Sequence, residues 1–461
     1  MPATPITPEE EQKVLASMGA QSMDDLFAGI PPKIRENANF TINVGEGRDP
    51  HKDNLSEHEL RVFFGKLADK NAVAPRVQHF LGGGFYDNII PAFVDQLVLR
   101  GEFLTCYTPY QPEVSQGTLQ AVFEFQTMIS RLTGAEVANA SMYDGPTAAA
   151  EAILMAQRGT RTKKGNILLA ASLPPDTREV IKTFTRQQTE RVDEVPWKTD
   201  GSLDLEKLES LVKEQSPFAV VVGWPNYFGV VEDLAAIRKI LPDSCFLIAS
   251  VSDASALSIF EPPGRLGADI VVGEAHQLGT PMSFGGPHVG FFATSKAHMR
   301  QMPGRLVGET KDSRGQRCYS LTLATREQHI RRERATSNIC TNQGLIALRT
   351  TMYLSFLGKK GFQQLGEQNF SLFDYLTREL EAVGIPRAFP DGFHYREGVF
   401  KVPNLADRFK NALARGIIPG IRMEEKFPDA EKDFSQCLLI CAHPKQTKAD
   451  IDRLVEVLSH D

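Results

Sequence analysis

The chain has 461 residues and a formal net charge of -6, from 51 basic and 57 acidic side chains. Apolar residues make up 42% and charged residues 23%, which excludes a disordered or low-complexity chain and predicts a globular protein with a sizeable core. The absence of a basic excess argues against a nucleic-acid partner, and the lack of any run of about 18 apolar residues argues against a membrane-spanning helix.

The N-terminal MPATPITPEEEQK has no apolar signal core and is too acidic for a transit peptide. Six cysteines, at 106, 245, 318, 340, 437 and 441, form no CxxC pair and are too sparse for a disulfide scaffold. Reduced thiols and a cytoplasmic location are expected. Thr7 with Glu10, and Ser56 with Glu59, carry the spacing of capping boxes, with Pro8 suited to a first helical position. The three glycines of FLGGGFYDNIIP, from Phe80, exclude a regular helix.

CYTPYQPEVSQGT follows from residue 106, stiffened by Pro109 and Pro112. Its Tyr107, Tyr110 and Gln111 suit either a rigid surface loop or the wall of an interface or passage. From 116, Leu119, Val122, Phe123, Gln126 and Ile129 share one helical face, with Gly134 as the stop. Apolar runs at 167–171, 218–223, 246–250, 270–273 and 289–293 then alternate with helical patterns at 147–158, 204–215 and 232–240. That alternation predicts a mostly parallel sheet covered on both faces. The expected division is an N-terminal helical segment at 1–75, a large α/β domain at 76–335 and a small C-terminal α+β domain at 336–461.

Helix 147–158 is preceded by Tyr143, Asp144, Gly145, Pro146 and Thr147. In pyridoxal-phosphate folds a small-residue turn before such a helix holds the phosphate with free N–H groups. Pro146 has no N–H to give and Asp144 repels an anion, so a plain capped helix is expected instead. Asp253 follows a buried strand, where this fold class pairs an aspartate with the pyridine nitrogen. After the next strand, where a lysine should form the internal aldimine, the chain has Glu274, Ala275, His276 and Gln277, and no lysine occurs between 240 and 295. A glutamine amide cannot form a Schiff base. His276 is expected to be a core or interface histidine. In HIRRERATSNICTNQG, from His329, residues Arg331, Arg332 and Arg334 form either a solvated charge run or an anion-binding patch. Ser337 or Asn338 is the expected N-cap of the following helix, which places Cys340 in its first turn, a position that favours thiolates though a buried inert thiol is the commoner outcome.

The stretches FLGGGFYDNIIPAF, YTPYQPEVSQG, LTGAEVANASMYDGPTAAAEA, PPGRLGADIVVGEAHQLGTPMSFGGPHVGFFAT and RRERATSNICTNQ together resemble the glycine decarboxylase P-protein family. The resemblance runs from about residue 5 to the end and is to the N-terminal half of the single-chain form, equivalent to subunit 1 of the split form. It implies the fold-type-I, aminotransferase-like architecture of pyridoxal-phosphate-dependent transferases. It also implies a heterotetramer with two copies of subunit 2, which holds the pyridoxal phosphate. The implied reaction is glycine decarboxylation with transfer of the aminomethyl group to the lipoyl arm of the H-protein. Gln277 then stands at the degenerate lysine position, and Pro146 departs from the small residue usual in the family. Two other readings stay open: a scaffold subunit of the same complex without a part in turnover, and an autonomous pyridoxal-phosphate enzyme, which would need the missing lysine.

Overall fold

In the computed structural model, which describes residues 6–38, 55–73, 77–161, 164–428, 430 and 434–459, the chain divides into two units, Met1–Val73 and Ala74–Asp461. The first holds helices Pro8–Ser17, Pro32–Asn37 and Glu57–Ala68. Both expected capping boxes form. Thr7 Oγ1 accepts from the Glu10 N–H at 3.2 Å while Glu10 Oε2 accepts from the Thr7 N–H at 2.8 Å, and Ser56 and Glu59 repeat the exchange at 3.3 and 2.9 Å.

The second unit opens its large sheet after helix α1 (Gln116–Thr133), which stops at Gly134 in the left-handed region, φ 71°. The strands in chain order are β1 (Val137–Ala138), β2 (Asn166–Ala170), β3 (Arg191–Val195), β4 (Ala219–Gly223), β5 (Phe246–Val251), β6 (Ile270–Glu274) and β7 (Gly290–Thr294). Helices α2 (Gly145–Thr160), α3 (Pro175–Thr185), α4 (Leu205–Gln215) and α5 (Leu234–Ile240) lie between them. Among the described residues the sheet runs β1-β7-β6-β5-β4-β2-β3. Strands β2 to β6 are parallel neighbours, whereas β7 is antiparallel to β6 and to β1. The connection 275–289 contains turns and no helix, so nothing carries the chain back over the sheet for a parallel return. Every residue of β4, β5 and β6 is buried, which explains their unbroken apolar runs. Helix α2 meets the sheet through Ala148, Ala149, Ala152 and Ala156, all fully buried, and these small side chains let the helix axis approach the strands closely.

A hairpin of β8 (Leu306–Lys311) and β9 (Arg317–Thr322) follows. Helix α6 (Gly344–Ala382) is interrupted at Gly358, whose φ of 59° and ψ of -175° break the helical path. The part before the break places Ile346 and Tyr353 in the large core, and the part after it adds Leu365 there and places Phe373, Leu376 and Leu380 in a separate core. Phe400 of β10 (Glu397–Lys401) and Leu438 and Ile440 of β12 (Cys437–Cys441) close that second core, in a three-stranded sheet with β11 (Ile421–Arg422) where β12 is central and antiparallel to both neighbours. Helices α7 (Leu405–Ala414) and α8 (Lys448–Ser459) complete it.

Candidate functional site

Open α/β sheets bind ligands beyond the carboxyl ends of their parallel strands, beside the N-terminus of a following helix. Here that place is framed by the ends of β5 and β6 and the start of α2. Asp144 caps α2, its Oδ1 accepting the Thr147 N–H at 2.7 Å. Pro146 takes the second helical position rather than the first, because the helix begins at Gly145. Gly145 brings its own N–H to 3.2 Å from Glu274 Oε2. A side chain at 145 would press on the backbone of Gly273 and Glu274 at 3.2 Å, so glycine is what permits this approach.

Glu274, at the last position of β6, fills the anion-binding corner with its own carboxylate. Oε1 accepts the N–H groups of Ala275, His276 and Val289 at 3.1, 2.9 and 3.0 Å. Oε2 lies 3.1 Å from His288 Nδ1. Burial pushes this carboxyl up, but the adjacent imidazoles of His276 and His288 outweigh it and leave the group ionised, with a pKa of about 2. The hydrogen bond to Glu274 in turn raises His288, against the opposing effect of its partial burial. His276 Nδ1 sits 3.3 Å from Oε1, yet both ring nitrogens of this buried histidine are without a hydrogen-bond partner.

The pyridine-facing side of the crevice is closed as well. Asp253 Oδ1 accepts the N–H and hydroxyl of Ser255 at 2.9 and 2.6 Å. Its Oδ2 pairs with Arg396 Nη1 at 3.4 Å, the two side chains being 3% and 1% exposed. Burial acts to lower Arg396, but Asp253 prevails and holds the guanidinium well above its ordinary range. Arg396 also donates to the Ala442 carbonyl at 3.1 Å, the Asn88 Oδ1 at 3.3 Å and the Asp87 carbonyl at 3.3 Å. It lies 5.0 Å over the Tyr86 ring. Tyr86 donates to Glu397 Oε1 at 2.5 Å, and Glu397 Oε2 accepts the Gly83 N–H at 2.8 Å. The glycine-rich strap therefore lies directly on this network. A Cβ at Gly82 would collide with the Glu397 carboxylate and come within 2.7 Å of the Cys441 Cβ.

Gln277 is completely buried. Its side-chain amide nitrogen donates to the Ser252 carbonyl at 3.2 Å, and its backbone carbonyl accepts from Asn88 Nδ2 at 3.1 Å. What remains of the crevice is a cavity of about 150 Å³ lined by Asp144, Asp176, Glu274 and His288 among others, with no lysine in its described lining. These residues do not fit pyridoxal phosphate. No amine faces the cavity, the helix N-terminal donors already serve carboxylates, and Asp253 is neutralised by an arginine.

A second cluster of the expected residues lies on the surface. Tyr107 and Tyr110 are 83% and 57% exposed, and Gln111, Arg331, Arg332 and Arg334 are also exposed. Pro112 begins the short 3-10 turn Pro112–Val114. Arg305 ties this loop to the arginine segment. It donates to the Tyr110 hydroxyl at 3.2 Å, stacks 5.4 Å over the Tyr110 ring, and lies 3.7 Å from Glu327, which precedes helix Gln328–Arg331. Gln116 fixes the far end of the loop by exchanging hydrogen bonds with the Tyr319 backbone at 2.8 and 2.9 Å. Arg305, Glu327 and Gln116 carried no local signal in the sequence, since their partners come from other elements.

Two expectations in this region are corrected. Neither Ser337 nor Asn338 caps the next helix, which begins only at Gly344. Asn342 Nδ2 and the Gln343 N–H instead donate to Ser141 Oγ at 2.9 and 3.1 Å, and this tertiary anchor delays the helix. Cys340 consequently lies outside the helix, exposed, with its N–H donating to the Tyr143 hydroxyl at 3.2 Å.

A family model described as glycine cleavage system P-protein matches residues 3–458. A probable glycine dehydrogenase (decarboxylating) subunit 1 from Brevibacillus brevis is 43% identical over 455 residues, covering 98% of this chain and 97% of the relative. Among solved structures, a glycine decarboxylase (P-protein) of the glycine cleavage system in inhibitor-bound form aligns with a TM-score of 0.83 at 37% identity, covering 100% of this chain and 99% of the other. The L-threonine transaldolase of Pseudomonas fluorescens in its internal aldimine state aligns at 0.62 with 16% identity over 87% of each chain, a likeness of fold alone. The architecture is the fold-type-I arrangement of pyridoxal-phosphate-dependent transferases.

Proposed function

Because the chain belongs to the glycine cleavage system P-protein family, whose model matches residues 3–458, we propose that it is the cofactor-free subunit of a two-subunit glycine decarboxylase. The partner, subunit 2, holds the pyridoxal phosphate. The complex releases the glycine carboxyl as carbon dioxide and passes the aminomethyl group to the oxidised lipoyl arm of the H-protein, whose disulfide is reduced. One observation carries this reading. The crevice where the fold places its cofactor has Gln277 in place of an amine and Glu274 in place of an anion. No step of the chemistry is therefore assigned to that crevice. The part proposed for this chain lies in the exposed loop of Tyr107, Tyr110 and Gln111 and the segment of Arg331, Arg332 and Arg334. We assign these to the face that meets subunit 2 and walls the passage for glycine and the lipoyl arm. Tyrosine supplies apolar contact and a hydrogen-bonding tip, and arginine attracts an anionic substrate or carrier.

The closed crevice also favours a scaffold role, in which the chain stabilises subunit 2 and touches no reactant. Reconstitution separates the readings. The chain alone with pyridoxal phosphate, reduced with borohydride, is expected to give no phosphopyridoxyl-lysine peptide. With subunit 2 the label appears on the partner, and glycine-dependent release of carbon dioxide begins. A labelled lysine in this chain, or turnover by subunit 2 unaided, defeats the proposal. There is no helix among the described residues long and apolar enough to cross a membrane.

A further inference from the structure

Glu274, His276 and His288 each offer a ligand atom, and these atoms lie within 4.8 Å of one another. We propose that the three side chains form a site for a divalent transition ion of the zinc class, with water from the adjoining cavity as a further ligand. This inference stands apart from the glycine decarboxylase reading and is tested on the single chain.

Four observations support it. First, the distances suit such an ion. His288 Nδ1 is 3.1 Å from Glu274 Oε2, and the ligand atoms of all three residues lie within 4.8 Å of one another. Bonds of about 2.0–2.1 Å in tetrahedral geometry put ligand atoms roughly 3.3 Å apart. Second, His276 is 1% exposed and neither of its ring nitrogens has a hydrogen-bond partner. Buried polar atoms are seldom left unpaired, and coordination would give one of these nitrogens its missing partner. Third, the carboxylate is already aimed. Three backbone N–H groups hold Oε1, while Oε2 keeps the Gly145 N–H as a backbone donor and can exchange the hydrogen bond of His288 for a bond to the ion. Fourth, the cavity of about 150 Å³ beside the cluster is lined by Asp144 and Asp176 as well as Glu274 and His288. Its acidic wall draws in a cation, and its volume admits a water molecule.

The donor set selects the ion. Two imidazoles and one carboxylate suit zinc, cobalt or nickel, whereas calcium and magnesium take oxygen ligands. Three protein ligands with an open position facing a cavity describe an accessible site rather than a closed structural one.

The test uses the chain stripped with a chelator and titrated with Zn²⁺ or Co²⁺. Metal analysis after dialysis should find one Zn²⁺ per chain, and Co²⁺ should give visible ligand-field absorption without the charge-transfer band of thiolate ligands. His288→Gln, at a half-buried position, and His276→Phe, beside Phe85, should each weaken binding at least about tenfold. Circular dichroism identifies a variant that fails to fold, and His288→Gln alone suffices if His276→Phe does. Cys106→Ser, Cys318→Ser and Cys340→Ser should leave uptake unchanged. Failure of the stripped chain to take up either ion overturns the proposal, as does uptake that survives the histidine substitution or vanishes with a cysteine.

Discussion

The crevice at the ends of β5 and β6 and the surface formed by the loop and the arginine segment use the same kinds of residue in opposite ways. In the crevice, carboxylates, an arginine and backbone donors are turned toward one another. Asp253 and Arg396 are 3% and 1% exposed. On the surface, Tyr107 is 83% exposed while Arg305, 5% exposed, fixes its neighbour Tyr110 from below. A polar group paired within its own fold has little left for a ligand; one held rigid but facing outward has nearly all of it. Substitutions in the two regions should therefore differ in what they cost.

The largest effect belongs to the crevice. Arg396→Met leaves Asp253 buried and unpaired and should lower stability by about 3–5 kcal/mol, read from urea denaturation. Adding Asp253→Asn should recover much of that loss. A single variant within about 1 kcal/mol of wild type would mean that the pair does not hold the crevice shut.

The next effect is an acid limb from the same strap. Burial pushes Asp87 up, but His79 and Lys445 outweigh it and bring the carboxyl to about 2, against an ordinary 3.8. A depressed folded pKa gives stability that is complete above the unfolded value and is lost as pH falls from about 4 to about 2. Its size is about 2 kcal/mol by linkage. Asp87→Asn should flatten that limb in denaturation curves across this range. Glu397, raised by burial to about 7, acts with the opposite sign, losing its contribution as pH rises from 4.5 toward 7, and so leaves the acid limb distinct.

Smaller stability effects but larger functional ones are expected at the surface. Tyr110→Phe removes the hydrogen bond from Arg305 and should cost about 0.5–1.5 kcal/mol, while lowering turnover of the assembled complex as much as tenfold. Arg332→Ala should change stability by less than about 0.5 kcal/mol. It should raise the KM for the lipoyl protein more at low salt than at high, because screening weakens steering. Tyr107→Phe should be the mildest in stability, with reduced turnover as its sole readout. Wild-type rates in all three, with assembly intact, would favour the scaffold reading.

Features set by near neighbours were legible in the sequence. Thr7–Glu10 and Ser56–Glu59 announce their helices, and the apolar runs mark β4, β5 and β6. Features set by distant partners were not. Glu274 reads as a strand end, and its role depends on Gly145, His288 and Val289. Arg396 reaches Asp253 across 143 positions of chain. At Ser337 and Asn338 the local capping chemistry was present but Ser141, far upstream, set the helix start.

The ion pair of Arg396 with Asp253 also shapes where this sequence can evolve. A route to a cofactor-holding crevice must change Gln277, Glu274 and Arg396 together. Gln277→Lys alone buries an ammonium beside the Ser252 carbonyl while Glu274 still holds the anion corner, and Arg396→Met alone strands a carboxylate. Each single step lies downhill in stability, with no new ligand to compensate. In sequence space the buried pair of Arg396 and Asp253 therefore holds the crevice closed against single substitutions.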